Sequence, residues 1–261
     1  MAFKIMLDAG HYGKVNQSTV IPEYYESEVM WKLHLLLKNE LEKFGFEVGT
    51  TRSVQTDELD ETKRGRKSVG YDLFLSLHSN ASTRKNADHV IVYYSYENKN
   101  NAIEFASKLS IGVATLMGVK EGSKLGTRSH EFDDGIDEYY GVLRGAKSVG
   151  TPLYYIINHS FHTNFAATRW LLVESNLKKI AKLEAGIIAA YYVNKTLFTK
   201  GDVIGDGKIT AKDYLYAKRA LFGTVKLTED QFFAADIDQD NKITSKDNLK
   251  IKRAWLGTFE P

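Results

Sequence analysis

Three apolar runs, each closing on a polar cluster, constrain this chain more than any other feature. Residues 3–7 lead into Asp8-Ala9-Gly10-His11, residues 72–77 into His78-Ser79-Asn80, and residues 152–157 into the cluster 158–164. Short continuous apolar runs bounded by glycine or polar residues read as strands buried on both faces. Between them lie segments of helical periodicity. Val29, Met30, Leu33, Leu36, Leu37, Leu41 and Phe44 predict a helix over 27–44, and Ile103, Phe105, Ala106, Leu109, Val113, Leu116 and Met117 one over 102–119. Residues 63–69 read as a short basic helix and 166–198 as a long one, with further strands at 46–51 and 90–94. Strands alternating with helices imply an α/β fold: a mostly parallel twisted sheet with helices on both faces. In such sheets ligands bind at the carboxyl ends of the strands, where the three polar clusters would meet.

Residues 121–140 carry glycines and charges with little periodicity. That length suits a substrate-facing loop better than a plain connection.

Beyond Lys200-Gly201 the pattern changes. The stretch Asp202-Val203-Ile204-Gly205-Asp206-Gly207-Lys208-Ile209-Thr210-Ala211-Lys212-Asp213 returns 34 residues later as Asp236-Ile237-Asp238-Gln239-Asp240-Asn241-Lys242-Ile243-Thr244-Ser245-Lys246-Asp247. Each copy leads into a matching helix, Lys218-Arg219-Ala220-Leu221-Phe222-Gly223 against Lys252-Arg253-Ala254-Trp255-Leu256-Gly257. The sequence thus divides into a domain over 1–199 and a small all-helical one over 200–261.

Composition limits the chemistry. There is no cysteine, so no disulfide, thiolate metal site or cysteine nucleophile, and any metal rests on His, Asp, Glu or carbonyl oxygen. A net charge of +2 gives no argument for nucleic acid. No apolar run approaches the roughly 18 residues that span a bilayer, and the first residues run into a strand without a signal peptide. The expectation is synthesis in a host cytoplasm, no membrane insertion, and action elsewhere.

His11, Glu26 at the start of the first helix, and His78 form a candidate zinc site. Two histidines and a carboxylate leave a fourth position for water, whose pKa the metal lowers toward ~7. His34 reads as a packing residue, while His89, His130, His159 and His162 stay undecided on spacing.

The His11 turn, the helix-opening Glu26 and Leu75-Ser76-Leu77-His78-Ser79-Asn80-Ala81 together resemble the zinc-dependent N-acetylmuramoyl-L-alanine amidases of the type 3 family. Asn158-His159-Ser160-Phe161-His162-Thr163-Asn164 is similar to the Glu-His-Gly-Phe-His-Thr-Asn segment of clostridial and bacillar phage endolysins in that family, and the match continues through residues 170–181. The resemblance implies a peptidoglycan hydrolase that cleaves the amide between N-acetylmuramic acid and L-alanine, with His11, Glu26 and His78 as zinc ligands. It also implies a glutamate general base at the position held here by Asn158. An amide cannot accept a proton at neutral pH, and losing a general base costs about 10²–10⁴ in rate. Three readings stay open: a substitution introduced to disarm the enzyme, a natural weakly active or non-catalytic peptidoglycan binder, or another base nearby. Glu174, inside the long helix, reads as a solvated carboxylate rather than that base.

The repeats follow calcium-loop logic, with oxygen donors at loop positions 1, 3, 5, 7 and 12. These are Asp202, Asp206, the Lys208 carbonyl and Asp213 in the first copy, where Ile204 at position 3 gives no donor and weakens the loop. In the second they are Asp236, Asp238, Asp240, the Lys242 carbonyl and Asp247. Asp at position 12 and one helix after each loop resemble dockerin modules, which implies a cohesin-like partner. Self-association or a wall-surface role is the other reading.

Overall fold

Ile5, Leu7, Leu73, Phe74, Leu75, Tyr155 and Ile157 are almost fully enclosed, and Met6 and Ile156 nearly so. Neighbours that point to opposite faces of a sheet are therefore buried alike, as strands covered on both faces require. The computed structural model describes residues 3–97, 102–119, 127–128, 137–197 and 199–261. In order it contains β1 (Lys4–Ala9), α1 (Glu26–Lys43), β2 (Glu47–Thr50), α2 (Glu61–Arg66), β3 (Leu73–Asn80), β4 (Ile91–Tyr94) and α3 (Ala102–Met117). There follow β5 (Thr127–Arg128), α4 (Gly141–Ser148), β6 (Leu153–Phe161), α5 (Phe165–Leu171) and α6 (Glu174–Leu197). The sheet order is β2-β1-β3-β6-β4-β5. The strands β2, β1, β3 and β6 run parallel, while β4 is antiparallel to β6.

On one face Met6, Phe74, Tyr154 and Ile156 pack against Val142, Leu143 and Ala146 of α4. The helix α1 buries Val29, Met30, Leu33, Leu37 and Leu41 and packs on β1, β2 and β3. Because β1, β3 and β6 are adjacent and parallel, their carboxyl ends lie side by side.

The structure departs from the sequence reading in three places. The single helix expected over 166–198 is two, α5 and α6, separated at Leu172-Val173. The Asn176 side chain donates to the Trp170 carbonyl at 3.1 Å, satisfying a helix-end acceptor that a continuous helix would have used. The strand β6 runs on through Asn158 to Phe161, so the third polar cluster begins on the strand rather than after it. The helix α4 was not anticipated, being short and holding two glycines. Of residues 121–140, the expected substrate loop, positions 121–126 and 129–136 lie outside the described residues, His130 among them.

The chain divides into two units, residues 1–187 and 188–261. The division falls within α6, ahead of the Lys200-Gly201 junction, because the change in composition marks the repeat and not the helix. In the second unit α7 (Ala211–Leu221), α8 (Glu229–Ala235) and α9 (Ser245–Trp255) enclose Val203, Ala217, Ala234, Ala235, Ile237 and Ile251. Val203 and Ile237 occupy the same place in the two repeats, as do Ala217 and Ile251, so the repeat has an approximate internal symmetry in its core.

Candidate metal centre

Glu26 is the first residue of α1, yet its side chain is 1% exposed. Its Oε1 lies 2.9 Å from His78 Nδ1 and accepts the Ser79 backbone N–H at 3.0 Å. Its Oε2 accepts from Asn16 Nδ2 at 2.7 Å and lies 3.3 Å from His11 Nε2. One ligand atom from each of His11, Glu26 and His78 falls within 4.8 Å of the others. Burial alone would raise the Glu26 pKa, but the hydrogen bonds and charges of His11 and His78 outweigh it and hold the carboxyl far below its usual range. A buried carboxylate kept ionised between two imidazoles is a donor set that suits a zinc ion.

The backbone makes this convergence possible. His11 adopts φ 57°, a left-handed conformation in the bend that follows β1. A Cβ on Gly10 would fall 2.4 Å from the His78 ring, so only glycine leaves room for that ring against the β1 turn. The second nitrogen of His78, Nε2, is 3.0 Å from Ser76 Oγ. Ser76 donates to Asp8 at 2.7 Å, and Asp8 is bound to Arg64 at 2.8 Å and to Thr51 at 2.6 Å. This chain of contacts fixes the ring so that Nδ1 faces Glu26, the arrangement that orients imidazoles in metal sites.

Asn158 is the register partner of His78 on the neighbouring strand. The two side chains share a cavity of about 130 Å³ with Ile156, Tyr93, Tyr140 and Glu61 among its walls. His162 sits behind Glu26, its Nδ1 3.9 Å from Oε2 and 3.0 Å from Ser79 Oγ, which also accepts from the Tyr24 hydroxyl at 2.8 Å. His159 is buried against Glu184 at 2.8 Å, His89 packs at a tilt against Phe161, and His34 is enclosed within α1. Glu174 is 70% exposed and pairs with Lys178. Sequence reasoning did not find Asn16, Ser76, Asp8 or Arg64 as supports of the cluster. The last three lie on β3, β1 and α2, and their contacts arise only when the sheet forms.

In the second unit Asp236, Asp238 and Asp240 also bring one oxygen each within 4.8 Å of the others. Asp236 accepts from the N–H groups of Asp240 and Asn241, and Asp202 from those of Gly205, Asp206 and Gly207. Both loops turn through left-handed residues at positions 4 and 6, Gly205 and Gly207 in one, Gln239 and Asn241 in the other. Asp213 and Asp247 close capping boxes with Thr210 and Thr244, starting the helix that follows each loop.

An α/β sheet with two histidines and a carboxylate converging at its strand ends, followed by paired acidic loops, defines the class of protein. Its family follows from comparison. Residues 5–190 match the N-acetylmuramoyl-L-alanine amidase family, and residues 200–256 match the dockerin type I domain. The chain belongs to that amidase family. Solved structures with the same fold include the N-acetylmuramoyl-L-alanine amidase from Clostridium difficile 630, at 20% identity and TM-score 0.62, covering 74% of this chain and 98% of that one. The catalytic domain of CwlV from Bacillus (Paenibacillus) polymyxa var. colistinus matches at 20% identity and TM-score 0.60, over 73% of this chain and 98% of that one. Cwp6 from Clostridium difficile matches at 20% identity and TM-score 0.60 over 73% of this chain, which spans 29% of the Cwp6 chain. Comparison with curated sequences gives no match.

Proposed function

We propose that this protein is a zinc-dependent N-acetylmuramoyl-L-alanine amidase of the phage endolysin kind, slowed by the residue at position 158. The observation that carries the reading is the His11–Glu26–His78 cluster, at the strand ends of a chain in the amidase family. In this reading residues 1–199 hold the catalytic domain and 200–261 the dockerin-like one, with bacterial peptidoglycan as the substrate.

His11, Glu26 and His78 would hold the zinc ion. The metal supplies Lewis-acid polarisation of the scissile carbonyl and a water made acidic enough to attack at neutral pH. Glu26 keeps its charge between the two histidines, and Ser76 with Asp8 keeps the His78 ring aligned. Asn158, beside His78, can donate its amide N–H to the carbonyl oxygen as that oxygen gains charge, but it cannot take a proton. That same feature favours a second reading, a peptidoglycan-binding protein that retains the cluster without turnover.

The acidic loops would bind calcium through Asp202, Asp206, Lys208 and Asp213, and through Asp236, Asp238, Asp240, Lys242 and Asp247. The dockerin match supports a cohesin-like partner. No helix among the described residues is long and apolar enough to cross a membrane.

The deciding experiment follows release of alanine N-termini from purified peptidoglycan by the protein and by its Asn158→Glu variant, each with zinc and with chelator. The amidase reading expects chelator-sensitive release that rises about 10²–10⁴-fold in the glutamate variant. An inert glutamate variant that has bound zinc would leave only the binding reading.

A further inference from the structure

Asn158 leaves the cavity beside His78 without a proton acceptor on β6, and α2 places a carboxylate there. Glu61, the first residue of α2, shares the cavity of about 130 Å³ with His78, Asn158, Ile156, Tyr93 and Tyr140. It is exposed, and its carboxylate has no hydrogen-bond or salt-bridge partner among the described residues. The helix that presents it is well anchored. Arg64, one turn on, is buried and donates to Asp8 at 2.8 Å and to the Ala9 carbonyl at 3.1 Å. Glycine at the start of α4 leaves room for the carboxylate: a Cβ on Gly141 would fall 2.8 Å from Glu61 Oε2.

We propose that Glu61 is the proton-transfer residue of this chain, in place of the missing glutamate at position 158; the proposal rests on the amidase reading above. As the oxygen of water bonds to the lactyl carbonyl carbon, one of its protons passes to a carboxylate oxygen of Glu61. When the carbon–nitrogen bond breaks, that proton moves to the departing nitrogen of alanine, and Glu61 is a carboxylate again. The second proton of the water stays on the new carboxylic acid and ionises to solvent. Asn158 serves the same step as a donor to the carbonyl oxygen. A Glu61 that only favoured the N-terminus of α2 would add its charge to the fold and nothing to the reaction.

The test compares zinc-loaded full-length protein with its Glu61→Gln, Glu61→Asp, Asn158→Glu and Asn158→Glu/Glu61→Gln variants for release of alanine N-termini. Melting temperature and zinc content are measured on each. The proposal expects Glu61→Gln to lower kcat by about 10²–10⁴-fold, with KM and zinc content unchanged, and to remove the rising acid limb of the pH–rate profile. Glu61→Asp should restore part of the rate, and the double variant should run close to Asn158→Glu alone. Should Glu61→Gln fail to fold, a lowered kcat at constant KM in Glu61→Asp supports the proposal and an unchanged kcat overturns it. A Glu61→Gln rate within about twofold of the parent, or a parent with no activity beside an active Asn158→Glu variant, overturns the role of Glu61 and leaves the amidase reading intact. Inert zinc-loaded Asn158→Glu protein overturns both.

Discussion

His34 is enclosed within α1 at 1% exposure, its Nδ1 2.5 Å from the Trp31 carbonyl and its ring against the Trp31 ring. Burial pushes its pKa down to about 4, against the lesser opposing pull of the Trp31 carbonyl. A histidine whose folded pKa is depressed contributes stability that is whole above its unfolded value near 6.5 and is lost as pH falls toward 4. The loss amounts to about 3 kcal/mol across that window. Urea unfolding from pH 7 to pH 4 should therefore show a steeper fall in stability for the parent than for His34→Gln, which starts weaker but takes up no proton there. Ser76 gives a second prediction at this scale. It is not a ligand itself, yet it joins the His78 ring to Asp8. Ser76→Ala should weaken zinc binding about 10–100-fold, read by competition with a chelating dye, while the melting temperature of the zinc-free protein changes little.

The helices α2 and α4 approach backbone to backbone. A Cβ on Gly65 would lie 2.0 Å from the Val142 carbonyl, and one on Gly145 would lie 2.2 Å from that of Thr62. Gly145→Ala must push the pair apart, a cost of about 1–3 kcal/mol or more, and α2 carries both Arg64 and Glu61. Its melting temperature should drop, and activity should drop further than the stability change accounts for, since Arg64 loses its register on Asp8. Nothing in the local sequence announces this contact, because glycines at 65 and 145 read as breakers until their helices meet. The strands β1, β3 and β6 were legible for the opposite reason: each is buried on both faces, so its apolar run is uninterrupted. Strand direction was not. The run at β4 looks the same whether parallel or antiparallel, and only its register with β6 reveals the reversal. At the candidate site His11 and His78 stand out as histidines that follow apolar runs, and Glu26 as the carboxylate that opens α1. Their supports are ordinary Ser, Asp, Arg and Asn residues whose role exists only in three dimensions.

Among the described residues one core cluster lies between the sheet and α4, and another between the repeat helices. Each holds its own candidate metal chemistry, so the two metals should act on different parts of the unfolding curve. Calcorimetric melting with zinc alone should raise the transition of the larger unit, and calcium alone that of the smaller one, through binding to the folded state only. The two acidic loops should not contribute equally. Asp236, Asp238 and Asp240 bring three carboxylates together, whereas Ile204 occupies the place that corresponds to Asp238. A hard cation is held by oxygen, and a loop short of one carboxylate binds it more weakly. Titration should therefore resolve a tighter and a weaker calcium site. Ile204→Asp should bring the weaker one toward the tighter and raise the calcium-dependent shift in melting temperature, while Asp238→Ala should abolish the tighter site. Equal affinities in the parent, or a calcium shift that survives Asp238→Ala unchanged, would show that the carboxylate at position 3 does not set the strength of these loops.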